Sequence, residues 1–441
     1  GNVLEVAYQK GQPDAFYHHY TYDAEQRLVK VETSLDGTGK IQHAQYEYYL
    51  HGPLKRIEIG DQLQGIDYVY NINGALKAIN HPDPDKDPGK DGHAGEHSGF
   101  ATDVFGLLLD YYDGDYAGAG YDAGQVTGTG TVNQYSGNVR ANAWRGPKEA
   151  QARAYTYDYD EKYQLKEARW GAVSESSGDY VFTPDASDKY RVEVEDGIGH
   201  AAYDANGNIQ HLKRRDENGA LSDNLSYIYD TNNPNRLLTV KNGASVLMSF
   251  TYNDIGQVTR ITDNSGDRPA TMHIQYDSYG LVTGYYANSS HTQPILEFTY
   301  NDQGNRVQKL SYDNSYVLAY KTWYVRDAGG NILSLYQEDV NAGSGIVQSE
   351  VPLYGGSRIG VMIYNEFGGS REYYYELTDH QGNVRAVISD DKAGAVADAV
   401  MHADYYPFGM PMQERSNLSF NYRHEYQGQY AEVDDEVGLN A

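Results

Sequence analysis

A tyrosine followed by aspartate or asparagine recurs along this chain about every two dozen residues. The cleanest run is Tyr229-Asp230, Tyr252-Asn253, Tyr276-Asp277, Tyr300-Asn301 and Tyr324, with starts 23, 24, 24 and 24 residues apart. A glycine and then an aliphatic residue follow at a nearly constant offset: Gly256 and Val258, Gly280 and Val282, Gly304 and Val307. A fixed period in this range marks a repeat architecture, in which one supersecondary unit is stacked into a single body. The repeat overrides the prior that 441 residues make roughly two or three ordinary domains. A chain spent on copies of one unit builds a surface or a container.

One copy shows what the unit is. Phe298-Thr299-Tyr300 is aromatic and β-branched, which predicts a strand. Asn301 to Asn305 predicts a turn: Asn or Asp at its start can bond the backbone N–H two residues on, and Gly304 supplies the positive φ that closes a hairpin. Arg306 to Tyr312 is then the returning strand. A 24-residue period less two short loops leaves two strands of about seven residues, a usual strand length. Setting aside roughly 70 irregular residues, the remainder makes about 15 hairpins and 30 strands, a ribbon on the order of 145 Å wide if flat. Twisted sheets of that width coil or close. Apolar alternation is weak, so neither face is expected to be a dry core, and tyrosines stacked between neighbouring strands are expected to hold the ribbon. The fold class expected is therefore all-β: an antiparallel β-hairpin ribbon spiralling into a hollow shell.

Composition agrees. There are 44 Tyr against 9 Phe and 3 Trp; tyrosine suits strands and carries a polar tip on an apolar ring. That explains how an ordered chain has a mean hydropathy of −0.70. The net charge of −27 argues against nucleic acid and against an anionic membrane surface as partners. No cysteine is present, which removes disulfides, thiolate nucleophiles and cysteine-ligated metals. No apolar run is long enough for a membrane span, and no signal peptide opens the chain. Gly1 is not an initiator Met and Tyr20-Thr21-Tyr22-Asp23 begins a repeat almost at once, so a fragment of a longer polypeptide is expected.

Four regions are distinguishable. Residues 1–80 hold degenerate repeats, and 81–150 break the period as an irregular insertion. Regular repeats occupy 151–349, and 350–441 has a different texture. Helical periodicity fails throughout. The exception is Lys392 to Ala403, which is alanine-rich and expected to be a short helix.

Several constellations invite chemistry. Asp83-x-Asp85-x-Asp87 with Gly89 and Asp91 hints at a calcium loop, but Pro88 and Ala94 stand where an EF-hand needs Gly and an acid. A solvated acidic loop is expected instead. His93 and His97 with Glu96 have helical ligand spacing but lie among Gly and Ser, and Ala94 stands where the zinc motif needs Glu. Asp379-His380 is expected to serve a turn rather than acid–base chemistry. Gly118-Ala119-Gly120 and Gly128-Thr129-Gly130 lack the lysine and strand–helix frame of a phosphate loop. Exposed tyrosines could stack on sugars, but strand packing explains most of them. No catalytic, cofactor-binding or metal residue is assigned, and no cofactor is expected.

The Tyr-Asp-x-x-Gly-x-aliphatic unit resembles the YD repeat of Rhs (rearrangement hotspot) proteins, which also occurs in the C components of insecticidal toxin complexes and in teneurins. Asp379-His380-Gln381-Gly382-Asn383-Val384-Arg385 and Tyr405-Tyr406-Pro407-Phe408-Gly409 resemble two ordered boxes of that family. Tyr426-Gln427-Gly428-Gln429 with Asp434 to Leu439 resembles the start of the Rhs-associated core. The wording around Gly137-Asn138-Val139 and Tyr157-Asp158-Tyr159-Asp160 is similar to versions common in Bacteroidetes-type bacteria. The resemblance covers nearly all of the chain except 80–150. It implies a β-ribbon cocoon around a C-terminal toxin. It also implies an exported bacterial protein, secreted or at the cell surface, whose partner is the downstream effector segment of the same polypeptide. In many relatives an aspartyl self-cleavage site frees the toxin; the chain stops at Ala441 before that segment, so self-cleavage is carried to no residue here. The function expected is a non-enzymatic shell segment. The alternative is a cell-surface adhesin or filament that binds glycan or protein. Secretion machinery is a further possible partner.

Overall fold

Each repeat folds into an antiparallel hairpin, and the recurring residues build its turn. In the computed structural model of the chain, Asp277 Oδ1 accepts hydrogen bonds from the backbone N–H groups of Tyr279 and Leu281, both at 2.9 Å. Gly280 N donates to Asp277 O at 3.2 Å, with Gly280 in the left-handed region at φ +86°. The same side-chain pattern recurs at Asn301, Asp327 and Asp379. The structure describes all residues except 96, 117–120, 198–199, 267–268, 366–369, 394, 421, 425, 427–432, 435–438 and 441.

The tyrosine ties each hairpin to the one before it. Tyr252 Oη donates to Leu237 O at 2.5 Å, Tyr276 Oη to Val258 O at 2.8 Å and Tyr300 Oη to Val282 O at 2.8 Å. Each acceptor is the first residue of the preceding returning strand, in the sequence pattern an aliphatic position. Where arginine replaces tyrosine, Arg326 Nε donates to Arg306 O at 2.9 Å and keeps the link. The repeat therefore has a mechanical meaning: each tyrosine hydroxyl satisfies a carbonyl at the start of the returning strand of the hairpin before it.

The hairpins form one 30-stranded sheet, from Glu5–Tyr8 to Val396–His402, with a separate two-stranded sheet of Val433–Asp434 and Leu439–Asn440. Neighbouring strands are antiparallel except that Val126–Gly128 runs parallel to Asp179–Pro184. Within 81–150 the ribbon continues. Leu76–Ile79 pairs with Gly106–Asp110, that strand pairs with Ala141–Arg145, and the latter pairs with Arg153–Tyr159. Two loops, before and after Gly106–Asp110, leave the ribbon and fold back on it. The chain thus has an all-β fold, and among the described residues helix is limited to two short 3-10 turns. No helix among them is long and apolar enough to cross a membrane.

Two expectations are corrected. The alanine-rich stretch Lys392 to Ala403 is not helical: Val384–Ala393 and Val396–His402 form an antiparallel hairpin. Ala397 and Met401 are buried and Asp398 is exposed, a strand-like placement. Pairing with an existing sheet edge outweighs the helix propensity of five alanines. The absence of a dry core is also overturned. Phe16, Val31, Ile59, Leu107, Trp144, Leu353, Met362 and Tyr375 belong to one buried cluster. The ribbon coils until its first strands lie against its last. His18 Nε2 is 3.1 Å from Pro352 O, His43 Nδ1 is 2.9 Å from Tyr375 Oη, and the Tyr8 and Tyr336 hydroxyls are 2.8 Å apart. The half-wet reading holds only for a short stretch: Ser245–Tyr252 has no fully buried residue and Leu237–Asn242 has one, whereas Ile261, Met272, Ile274, Ile295, Leu296 and Phe298 form a second buried cluster just beyond.

Candidate functional site

Two of the three C-terminal boxes meet over the strands Ala141–Arg145 and Arg153–Tyr159. The Asp379–Asn383 turn joins Ser370–Thr378 to Val384–Ala393 and presents Asp379, His380 and Gln381 to a cavity of about 530 Å³. Tyr405, Tyr406 and Phe408 wall its other side. The floor is an aromatic ladder: Trp144 and Tyr155 ring centroids are 5.7 Å apart, Tyr155 and Tyr157 5.9 Å, Tyr157 and Tyr159 6.4 Å. Asn142 and Asn383 add amide groups to this lining. Alternate residues of one strand share a face, so Tyr155, Tyr157 and Tyr159 line up because of the strand period.

A buried charged hub holds these parts together. Asp404, 5% exposed, accepts from Trp144 Nε1 at 2.7 Å through Oδ1, which also receives Arg385 Nη2. Its Oδ2 accepts from Arg415 Nε at 2.8 Å. Arg385 also donates to Ala403 O at 2.9 Å and lies over the rings of Phe105 and Trp144 at 5.2 and 5.4 Å. Arg415 lies over Trp170 at 5.3 Å and pairs with Glu149, whose carboxyl is pushed above its usual range by burial. Two guanidinium groups thus meet two carboxylates away from water. Removing one partner of such a group is costly, because the other is left buried and unpaired. The hub fastens residues 402–416 to strands some 260 positions earlier.

The predicted candidates sort as follows. Asp379 serves its turn: Oδ1 accepts from Gln381 N at 2.9 Å and Asn383 N at 3.1 Å. His380 is exposed into the cavity, and dehydration there lowers its pKa. His93 and His97 do not converge: His93 approaches Asp85 at 3.9 Å and His97 approaches Glu58 at 3.7 Å. Their companion Glu96 lies outside the described residues, as do Gly118-Ala119-Gly120 and Gln427-Gly428-Gln429. Gly128 lies in the short parallel strand beside Phe182. The solvated acidic loop needs correcting: Asp85 is exposed, but Asp87 and Asp91 are each only 2% exposed. The loop is drawn inward by Arg56, whose Nη2 donates to Asp91 at 2.7 Å. Sequence reasoning missed the roles of Arg56, Trp144, Asp404 and Arg415, since partners so far apart leave no spacing signal. The one cue is that Arg385 closes the first recognised box and Asp404 directly precedes the second.

No family model matches the chain. Among curated proteins, 217 residues, 46% of the chain, are 26% identical to salivary gland surface protein 1 of Aedes aegypti. A stretch of 243 residues, 52% of the chain, is 28% identical to the tRNA3(Ser)-specific nuclease WapA of Bacillus spizizenii and 27% identical to the tRNA nuclease WapA of Bacillus subtilis. The matches span 6% and 9% of those proteins' lengths. Among solved structures, the TcdB2-TccC3 complex aligns with 97% of this chain and 25% of its own, at 12% identity and a TM-score of 0.34. The Photorhabdus luminescens Tc holotoxin pore aligns with 97% and 24% at the same identity and a TM-score of 0.32.

Proposed function

We propose that this chain is a non-enzymatic stretch of a YD-repeat shell of the Rhs type, from an exported bacterial protein that is secreted or held at the cell surface. Its role is to enclose, and so keep inert, an effector polypeptide attached downstream. The observation that carries this reading is the coiling of the ribbon: its first strands bury a core against strands roughly 300 residues later, and a ribbon closed at such a seam is a wall. The repeat and the ordered C-terminal boxes support the same reading. The test compares full-length protein with its isolated downstream domain under limited proteolysis. Enclosure requires the domain to be cleaved much more slowly within the full-length protein; equal rates refute it.

A second reading, surface display with glycan or protein binding, is favoured by one observation. The cavity between the two boxes combines stacked aromatic rings with amide side chains, which is the chemistry of a small polar-ligand recess. Glycan-array binding that is lost on Trp144→Ala and on Tyr157→Ala would favour this reading over enclosure.

A further inference from the structure

The loop before Gly106–Asp110 carries more negative charge than its fold needs. Asp67, on the strand Gln64–Tyr70, and Asp87 and Asp91, on the loop, bring one carboxylate oxygen each within 4.8 Å of one another. Their exposures are 4%, 2% and 2%. Asp103, also 2% exposed, faces Asp87 and accepts from Asn80 Nδ2 at 3.0 Å and from Gln64 Nε2. Among the described residues, the ion pairs of these four acids all come from Arg56, through Nη1 to Asp67 and Nη2 to Asp91 Oδ1. Counted as fully ionised, the four carboxylates and one guanidinium carry −3, and Arg56 Nε is shared with Glu58 besides.

Asp87 Oδ1 and Asp91 Oδ2 are buried with no N–H or O–H donor on them, while the Asp87 and Asp103 carboxyls lie within hydrogen-bonding reach of each other. A carboxylate oxygen in that state is costly unless a cation or a proton takes up its charge. The surroundings are built for close approach: a Cβ added at Gly65 would strike Asp91 Oδ2, and one at Gly89 would strike Asp67 Oδ2. A cavity of about 300 Å³, lined by Arg56, Lys55, Lys90 and His97 with Tyr49 and Tyr68, reaches Asp67 from outside.

We propose that Asp67, Asp87 and Asp91, backed by Asp103, bind a divalent cation of the calcium class. The donors are all hard carboxylate oxygens, which select calcium or magnesium over zinc or copper. Clustered carboxylates completed by water suit the flexible, high coordination number of calcium better than the strict octahedron of magnesium. The site is not an EF-hand, because one ligand comes from a strand and the others from the loop. A bound cation would bring the formal balance to −1 and staple the loop to the early strands of the ribbon.

Terbium luminescence excited through tyrosine tests this on the whole chain, since Tyr49 and Tyr68 line the entry. After stripping with EDTA, terbium should give a saturable emission that calcium displaces. The melting temperature should rise with each tenfold increase in free calcium, as mass action requires, and less with magnesium. Asp87→Asn should abolish both effects while leaving the calcium-free protein at least as stable as the parent, because it removes a buried unpaired charge. Asp85→Asn, at the exposed neighbour, should leave both intact. If Asp87→Asn does not fold, the parent's displaceable emission and calcium-dependent melting still decide. A parent that shows neither at millimolar calcium, but is stabilised by acid, holds protons there and overturns the proposal. So does an unchanged response in Asp87→Asn.

Discussion

Replacing Gly382 with alanine isolates what the left-handed turn position is worth. Its φ is +82° and an added Cβ would meet nothing within 4 Å, so the cost is backbone strain alone. We expect about 1 kcal/mol, read as a lower urea midpoint with an unchanged slope. Tyr276→Phe, which deletes only the hydroxyl bonded to Val258 O, should cost a similar amount, about 1 kcal/mol. The roles of Asp and Gly were legible because each acts within its own turn, through chemistry that its side chain or lack of one announces. The acceptor of the tyrosine was not legible, since a backbone carbonyl has no letter. Tyr163 and Tyr316 show the other limit. Both take the left-handed turn position at φ +64°, where the pattern calls for glycine.

At the scale of elements, Asp404 is the joint between the last hairpin and the strands from 141 to 159. Asp404→Ala strands Arg385 and Arg415 in a buried site, and we expect a loss of about 3–5 kcal/mol. Hydrogen exchange should report it first around residues 402–416, with the middle hairpins unaffected. Strand existence and turn position were readable from period and turn chemistry. The joint was not, because Trp144 and Asp404 are 260 residues apart and neither belongs to the repeat. The hairpin at 384–402 was misread for a related reason. Its alanines follow local propensity, whereas the partner strand that decides the outcome lies outside any local window.

For the whole molecule, the seam between the ribbon's ends should weaken in acid. Burial lowers the His18 pKa to about 4 and the His43 pKa to about 3, from 6.5. The folded state holds both rings neutral. Their contribution is therefore fully present above about pH 6.5 and is lost as the pH falls toward 4. Asp67 acts in the opposite sense: burial raises its pKa to about 8, so ionising it as the pH rises from about 4 to 8 opposes folding. His43→Gln separates the two. It can keep bonds to Thr33 and Tyr375 while losing the titration, so its stability should fall less than the parent's between pH 6.5 and 4. Denaturant midpoints at several pH values would check this, and parallel curves would refute it. The seam itself was illegible in the sequence, since weak alternation concealed which strands would be covered.

That seam also sets a clock. Phe16, Val31 and Ile59 share a core with Leu353, Met362 and Tyr375, roughly 300 residues later in the chain. At roughly 5–20 residues per second of synthesis, the two sides of that core are made about 15 s to a minute apart. Hairpins can zip up as they emerge, each on the last, but through that interval the first strands carry a bare apolar face. The slow, aggregation-prone interval in making this stretch of chain therefore opens with the strands around Phe16 and closes only when those around Met362 are made.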